Sequence, residues 1–144
     1  MDIEVVQLDP GLALPLRARQ HDAGMDLCAA EEAVVAAGGG RAVVGTGVAL
    51  AIPPGWAGFV LPRSGLAARH GVTCLNAPGL IDSGYRDEVK VILVNTDPSA
   101  DYQVLRGDRV AQLVIQAVES VSWRVVDELS NSDRGLGGLG HSGR

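Results

Sequence analysis

Leu75-Asn76-Ala77-Pro78-Gly79-Leu80-Ile81-Asp82-Ser83-Gly84-Tyr85-Arg86-Asp87-Glu88-Val89 is the most informative stretch of this chain. It places one carboxylate, Asp82, between the apolar pair Leu80-Ile81 and a Ser83-Gly84 turn, with Tyr85 just beyond. Apolar neighbours withdraw water from a carboxylate and make it a usable base. A tight turn at glycine lets backbone amide and carbonyl groups face a ligand, because no side chain stands in the way. Tyr85 offers a flat face to a sugar or a base. The stretch reads as a strand-turn-strand pocket for a small ring compound beside a poised base. Asp82-Ser83-Gly84 alone also fits an ordinary β-hairpin turn, a reading that leaves Tyr85 and Arg86 without a use.

Outward from this stretch, short apolar or alternating runs recur between Gly, Pro and Asp punctuation. They cover residues 3–8, 41–52, 57–61, 89–94, 109–118 and 121–129. Runs of this length and turn chemistry predict strands of an all-β sandwich or barrel. Only residues 64–69 read as helix, with Ser64 as N-cap and Gly71 past the end. Residues 29–37 fit a helix by propensity, but the Gly38-Gly39-Gly40 turn beside them fits a strand equally well. No repeat or linker divides the chain, so residues 1–129 read as one β domain. Residues 130–144 are polar and then Gly-rich. They have too little apolar surface to offset the entropy of ordering, so a mobile tail is expected there.

The formal charge of −5 argues against nonspecific nucleic-acid binding, which needs a basic surface. It leaves room for a small anionic ligand, because a few arginines in one cleft dominate locally. With only five aromatic residues (two Trp, two Tyr, one Phe), valine, leucine and alanine must fill the core. No basic-then-apolar leader opens the chain and no apolar run reaches membrane-spanning length. Cys28 and Cys74 then read as two reduced thiols of a cytoplasmic protein.

Four further segments carry chemistry. Arg63-Ser64-Gly65 sits where a strand gives way to a helix. Free amides, a hydroxyl and an arginine there would cradle phosphate; a capped helix with a surface arginine fits as well. Gln112 is an amide inside an apolar strand and could reach a phosphate or brace a neighbouring strand. Asp26, in Asp22-Ala23-Gly24-Met25-Asp26-Leu27, could meet a hydrated Mg²⁺, which needs few protein ligands, or belong to an Asx-type turn. The Gly-rich tail, led by Arg134 with Ser142 near its end, could wrap a phosphate chain or simply be floppy. His21, His70 and His141 lack metal-ligand spacing, so zinc is not expected.

Taken in order, the segments 22–27, 62–71, 75–89, 107–114 and 134–143 closely resemble the five motifs of the trimeric dUTPases, the deoxyuridine triphosphate nucleotidohydrolases. The resemblance implies an all-β, distorted jelly-roll subunit with one short helix, assembled as a homotrimer with sites shared among the three chains. It implies Mg²⁺-dependent cleavage of dUTP to dUMP and pyrophosphate, which lowers dUTP and supplies the dTMP precursor. In that reading Asp82 activates the water attacking the α-phosphorus, and Tyr85 lies against the deoxyribose. The backbone from Asn76 to Tyr85, including Gly79 and Ile81, reads the uracil edge together with the Asn76 side chain. Arg63, Ser64, Gly65 and Gln112 hold the phosphates, and Asp26 touches the metal's water shell. Arg134 and Ser142 close over the outer phosphates, while Leu139 and Gly140 cover the base.

Two positions depart from the family pattern. Leu139 stands where an aromatic or histidine is usual, and His141 where a small hydroxyl residue is usual. The residues assigned to the water and the inner phosphates all match. The chemistry agrees: phosphoanhydride hydrolysis needs an in-line water, a base for it and positive charge on the phosphates, without a covalent nucleophile. A dCTP deaminase of the same fold would need a glutamate acting on the base, and residues 79–85 follow the hydrolase pattern instead. A sensor that binds dUTP without cleaving it would have no use for both Asp82 and Arg134.

Overall fold

The computed structural model describes residues 1–138. In chain order its elements are β1 (Glu4–Gln7), β2 (Met25–Cys28), β3 (Ala33–Val35), β4 (Arg41–Ala51), β5 (Trp56–Pro62), α1 (Ser64–His70), β6 (Val72–Cys74), β7 (Gly79–Ile81), β8 (Glu88–Asn95), β9 (Tyr102–Val104) and β10 (Arg109–Ala117). Two four-stranded antiparallel sheets, β1-β4-β8-β6 and β2-β10-β5-β7, make a jelly-roll-like sandwich, and β3 pairs with β9 as a separate ribbon. The all-β expectation holds.

Strand alternation supplies the core. Along β8, Val89, Val91, Leu93 and Asn95 are buried while Lys90, Ile92 and Val94 face outward. They meet Leu27, Val44, Val60, Val72, Ile81 and Leu113 from the other strands, and no aromatic side chain is among the buried residues described. Each such aliphatic side chain contributes about 1.5–3 kcal/mol on burial. The buried Asn95 is fully satisfied: Nδ2 donates to Val35 O (3.0 Å) and Ala100 O (2.8 Å), and Oδ1 accepts from Asp97 N (2.9 Å). It thereby ties the first sheet to the ribbon.

Gly71 ends α1 in the left-handed region (φ 64°), as its position past the helix predicted. Ser64 is the first helical residue rather than the cap; Arg63 takes the cap position, with no side-chain capping bond. Within residues 29–37 the strand alternative is the one adopted, as β3.

Two expectations change. Residues 121–129 form no strand: they run exposed after β10, with Trp123 at 92% and Val125 at 95% exposure. An alternating apolar run needs a pairing edge, and this segment finds none among the described residues. Residues 75–89 are not a paired hairpin either. β7 pairs with β5, and β6 pairs with β8, so the Asp82–Tyr85 turn carries the chain from one sheet to the other.

Candidate active site

Three strands of one sheet gather the first group. Asp26 of β2 lies opposite Gln112 of β10, which lies opposite Leu61 of β5, two residues before Arg63. Arg63 Nε stands 3.3 Å from Asp26 Oδ1, and Arg109 Nη1 stands 3.3 Å from Asp26 Oδ2. Gln112 Nε2 donates to Asp26 Oδ1 at 3.4 Å, and Arg63 Nη1 donates to the Arg109 carbonyl at 3.0 Å. The Asp26 side chain is only 12% exposed. Gly24 makes room for this packing, since a methyl group there would stand 3.2 Å from Gln112 Cβ. Two guanidiniums against one carboxylate leave the cluster cationic, which suits a phosphate ligand.

Of the four residues joined here, Asp26, Arg63 and Gln112 are those the sequence singles out, and Ser64 and Gly65 continue directly from Arg63. Arg109 escapes a sequence reading. Strict alternation sends residue 109 to the face opposite residue 112, but the register of β10 against β2 shifts between Arg109 and Ala111 and turns it back. Cys28, opposite Arg109, has its thiol pushed up, first by burial and then by the Asp26 charge. Cys74, buried in the other sheet, is pushed up to about 11 by burial. Both cysteines are free, as expected.

The second group surrounds the turn after β7. Tyr85 N donates to Asp82 O (3.1 Å), and Tyr85 Oη donates to Glu88 O (2.7 Å). Arg86 Nη1 braces the turn through Ser83 O (2.6 Å) and Tyr85 O (2.7 Å). Gly79, Ile81 and Tyr85 line a cleft of about 300 Å³ with Val43, Val60 and Lys90. The Asn76 amide folds over Gly79, where a methyl group would meet its Nδ2 at 3.2 Å. The sequence expects Ile81 and Leu80 to withdraw water from Asp82. Instead Ile81 turns into the core, Leu80 is 59% exposed, and the Asp82 carboxylate faces solvent. Alternation along β7 dictates this, so whatever dries Asp82 has to come from outside its own segment.

The two groups do not meet within one chain. Ile81 is paired with Gly58, five residues of extended chain before Arg63. At about 3.3 Å per residue that is roughly 15–20 Å. In the described part of the tail, Arg134 donates from Nε to Gly137 O and from Nη2 to Gly138 O, each at 2.7 Å. Leu139, Gly140 and Ser142, together with His141, lie outside the described residues. Among the described residues no three His, Cys, Asp or Glu side chains gather as a metal site. Asp26 supplies one carboxylate in the first group, with Oδ1 held by Arg63 and Gln112 and Oδ2 by Arg109; Mg²⁺ keeps several waters and needs only one or two carboxylates.

Comparison with known proteins follows the same lines. The dUTPase family model matches residues 12–143. The deoxyuridine 5'-triphosphate nucleotidohydrolase of Thermobifida fusca is 57% identical over 141 residues, covering 98% of this chain and 78% of that protein. The enzyme of the same name from Mycobacterium tuberculosis is 54% identical over 146 residues, covering 98% and 94%. Among solved structures, the Staphylococcus bacteriophage 80alpha dUTPase with dUPNHPP superposes with a TM-score of 0.88 at 28% identity, over 99% of both chains. A D95N mutant dUTPase from phage phi11 of S. aureus, described with a structural Mg(II) ion, gives 0.80 at 26% identity, over 91% of this chain and 100% of that one. Fold, motif order and these relatives together define a nucleotide-hydrolase scaffold. The chain belongs to the dUTPase family.

Proposed function

We propose that this chain is a dUTP diphosphatase that hydrolyses dUTP to dUMP and pyrophosphate, working as a homotrimer whose sites draw on more than one chain. The observation that carries the reading is the division of labour in the fold: a cationic Asp26–Arg63–Arg109–Gln112 cluster stands strand lengths away from the Asp82–Tyr85 turn. A second copy brings a base to the phosphates without distorting either sheet. The uncovered apolar residues of one copy support assembly as well. Val121, Trp123, Val125 and Leu129 are 75–95% exposed, and burial between chains would remove that cost.

In this account Arg63, Gln112 and the first-turn amides at Ser64 and Gly65 hold the phosphates. The cleft beneath Tyr85, with the Asn76 amide and the backbone at Gly79 and Ile81, takes the uracil and deoxyribose. Asp82 accepts a proton from the water that attacks the α-phosphorus, once the neighbouring chain excludes solvent from it. Asp26 holds Arg63 and Arg109 in place and meets the water shell of Mg²⁺. Bound with the triphosphate, that ion supplies positive charge to the phosphates as negative charge builds on the leaving group. The tail, residues 130–144, closes the site: Arg134 leaves its own glycine carbonyls for the outer phosphates, Ser142 joins it, and Leu139 and Gly140 cover the base.

No helix of the described residues is long and apolar enough to cross a membrane. A cytoplasmic enzyme of nucleotide metabolism, without nucleic-acid or membrane partners, fits the net charge of −5.

The test is incubation of purified protein with dUTP, dCTP, dTTP and UTP plus Mg²⁺, measuring pyrophosphate and base products. Pyrophosphate from dUTP, with little from the other three, is expected. Uracil products from dCTP, or binding of dUTP without pyrophosphate, would overturn the reading.

A further inference from the structure

Arg69 stands in the last turn of α1, where a cation suits the helix dipole, and within reach of the residues assigned to phosphate. Side chains of a helix lean toward its N-terminus, so the Arg69 guanidinium lies back over Gly65, four residues earlier. A methyl group built on Gly65 would stand 2.9 Å from Arg69 Nη2 and 3.6 Å from Cζ. The missing side chain at Gly65 is what lets the guanidinium lie there.

Among the described residues Arg69 forms no hydrogen bond and no ion pair, although carboxylates are nearby. It lines a small polar cleft with His70, Asp97, Asp101 and Tyr102. Asp97 spends its Oδ1 on the Ser99 and Ala100 amides, and Asp101 accepts from the Ala37 amide. Tyr102 brings its phenol hydroxyl to the same cleft as Arg69. Burial pushes that hydroxyl up, Asp108 adds to the rise, and Arg63 and Arg69 oppose it. Ser64 and Gly65 thus follow Arg63, which is anchored on Asp26, and lie under Arg69, whose guanidinium packs over Gly65 and has no such anchor. An exposed helix position leaves an arginine free to wander unless a ligand holds it.

We propose that Arg69 is a further substrate-binding residue, donating to the phosphate chain from the Gly65 side and completing with Arg63 a two-sided clamp. This rests on the dUTP-hydrolase reading above. A guanidinium–phosphate contact is charge-assisted, so its loss weakens binding of the phosphorylated ligand by about tenfold or more. It leaves recognition of the nucleoside to other residues.

The test compares Arg69→Ala and Arg69→Lys with the unmodified full-length protein. In Arg69→Ala, KM for dUTP is expected to rise at least tenfold while kcat falls less than threefold. Affinity for dUPNHPP should drop in parallel, while affinity for deoxyuridine changes less than twofold. Arg69→Lys, which keeps a charge without the fork, should recover part of the loss. Equal losses for dUPNHPP and deoxyuridine, or none for either, would overturn the role. The two readings fail separately. An unmodified protein that releases no pyrophosphate from dUTP would sink the hydrolase and Arg69's role with it. An active protein whose Arg69→Ala variant keeps its KM would sink only the clamp.

Discussion

Asp26 Oδ1 and Arg63 Nε lie 3.3 Å apart, joining β2 to the end of β5 across the intervening strand β10. The pair is off the surface, with side-chain exposures of 12% and 26%, so solvent screens it less than an exposed ion pair. Because Arg109 closes on the other carboxylate oxygen, Asp26 fixes two guanidiniums at once.

Asp26→Asn should therefore loosen both arginines and lower kcat/KM for dUTP by more than tenfold in a pyrophosphate-release assay. A second readout is independent of catalysis. The Asp26 charge helps push the Cys28 thiol up, while Arg109 and Arg63 pull it down. In Arg109→Ala the pH midpoint of Cys28 alkylation should shift upward; an unmoved midpoint would contradict this electrostatic picture.

Asp82→Asn should retain dUTP binding and lose at least a hundredfold in turnover, since an amide cannot take the proton of the attacking water. Hydrolysis by the unmodified enzyme in ¹⁸O-labelled water checks the point of attack. Label is expected in dUMP, whereas label confined to pyrophosphate would place the attack on another phosphorus.

The two groups of site residues differ in how far sequence alone reveals them. Asp26, Arg63 and Gln112 each also fit a local structural role, in an Asx-type turn, beside a capped helix and as a strand brace, so it is the order of the five segments that makes them legible. Arg109 is not legible, because the register shift that turns it toward Asp26 depends on pairing with β2. The runs at residues 41–52 and 89–94 survive nearly intact as β4, buried almost continuously, and β8, which alternates, since a valine-rich apolar run is a local property. Residues 121–129 carry the same pattern without becoming a strand, because pattern says nothing about whether a partner edge exists. For the same reason Asp82 looks dry in sequence and faces solvent in one copy. Burial depends on what packs across from a residue.

Asn95 gives a stability test. Its side chain is fully buried and holds Val35, Ala100 and Asp97 together. Asn95→Ala leaves two carbonyls and an amide without their partner and opens a small void, for an expected loss of about 2–4 kcal/mol in denaturant unfolding at fixed protein concentration. A loss below about 1 kcal/mol would mean that water satisfies these groups just as well.

Acid should probe the Asp9–Arg106 pair. The Arg106 guanidinium, bonded at 2.8 Å, holds the Asp9 carboxyl below its ordinary 3.8, with help from the Gly11 amide. A carboxylate depressed in the folded state stabilises it above the unfolded value and loses that contribution as pH falls through the folded one. The Tm difference between the unmodified protein and Asp9→Asn should thus favour the unmodified protein near neutral pH and shrink toward zero well below 3.8. A difference that persists unchanged in acid would assign the effect to packing.

Subunit mixing tests the shared site most directly. Arg63→Ala and Asp82→Asn chains, each nearly inactive alone, are denatured together, refolded at equal ratio and assayed for pyrophosphate from dUTP. If each site takes Arg63 from one chain and Asp82 from a neighbour, random assembly leaves about one site in four with both residues intact, so about a quarter of the unmodified rate should return. Recovery no greater than the sum of the two separate variants would mean that one chain supplies both residues, and would contradict the account.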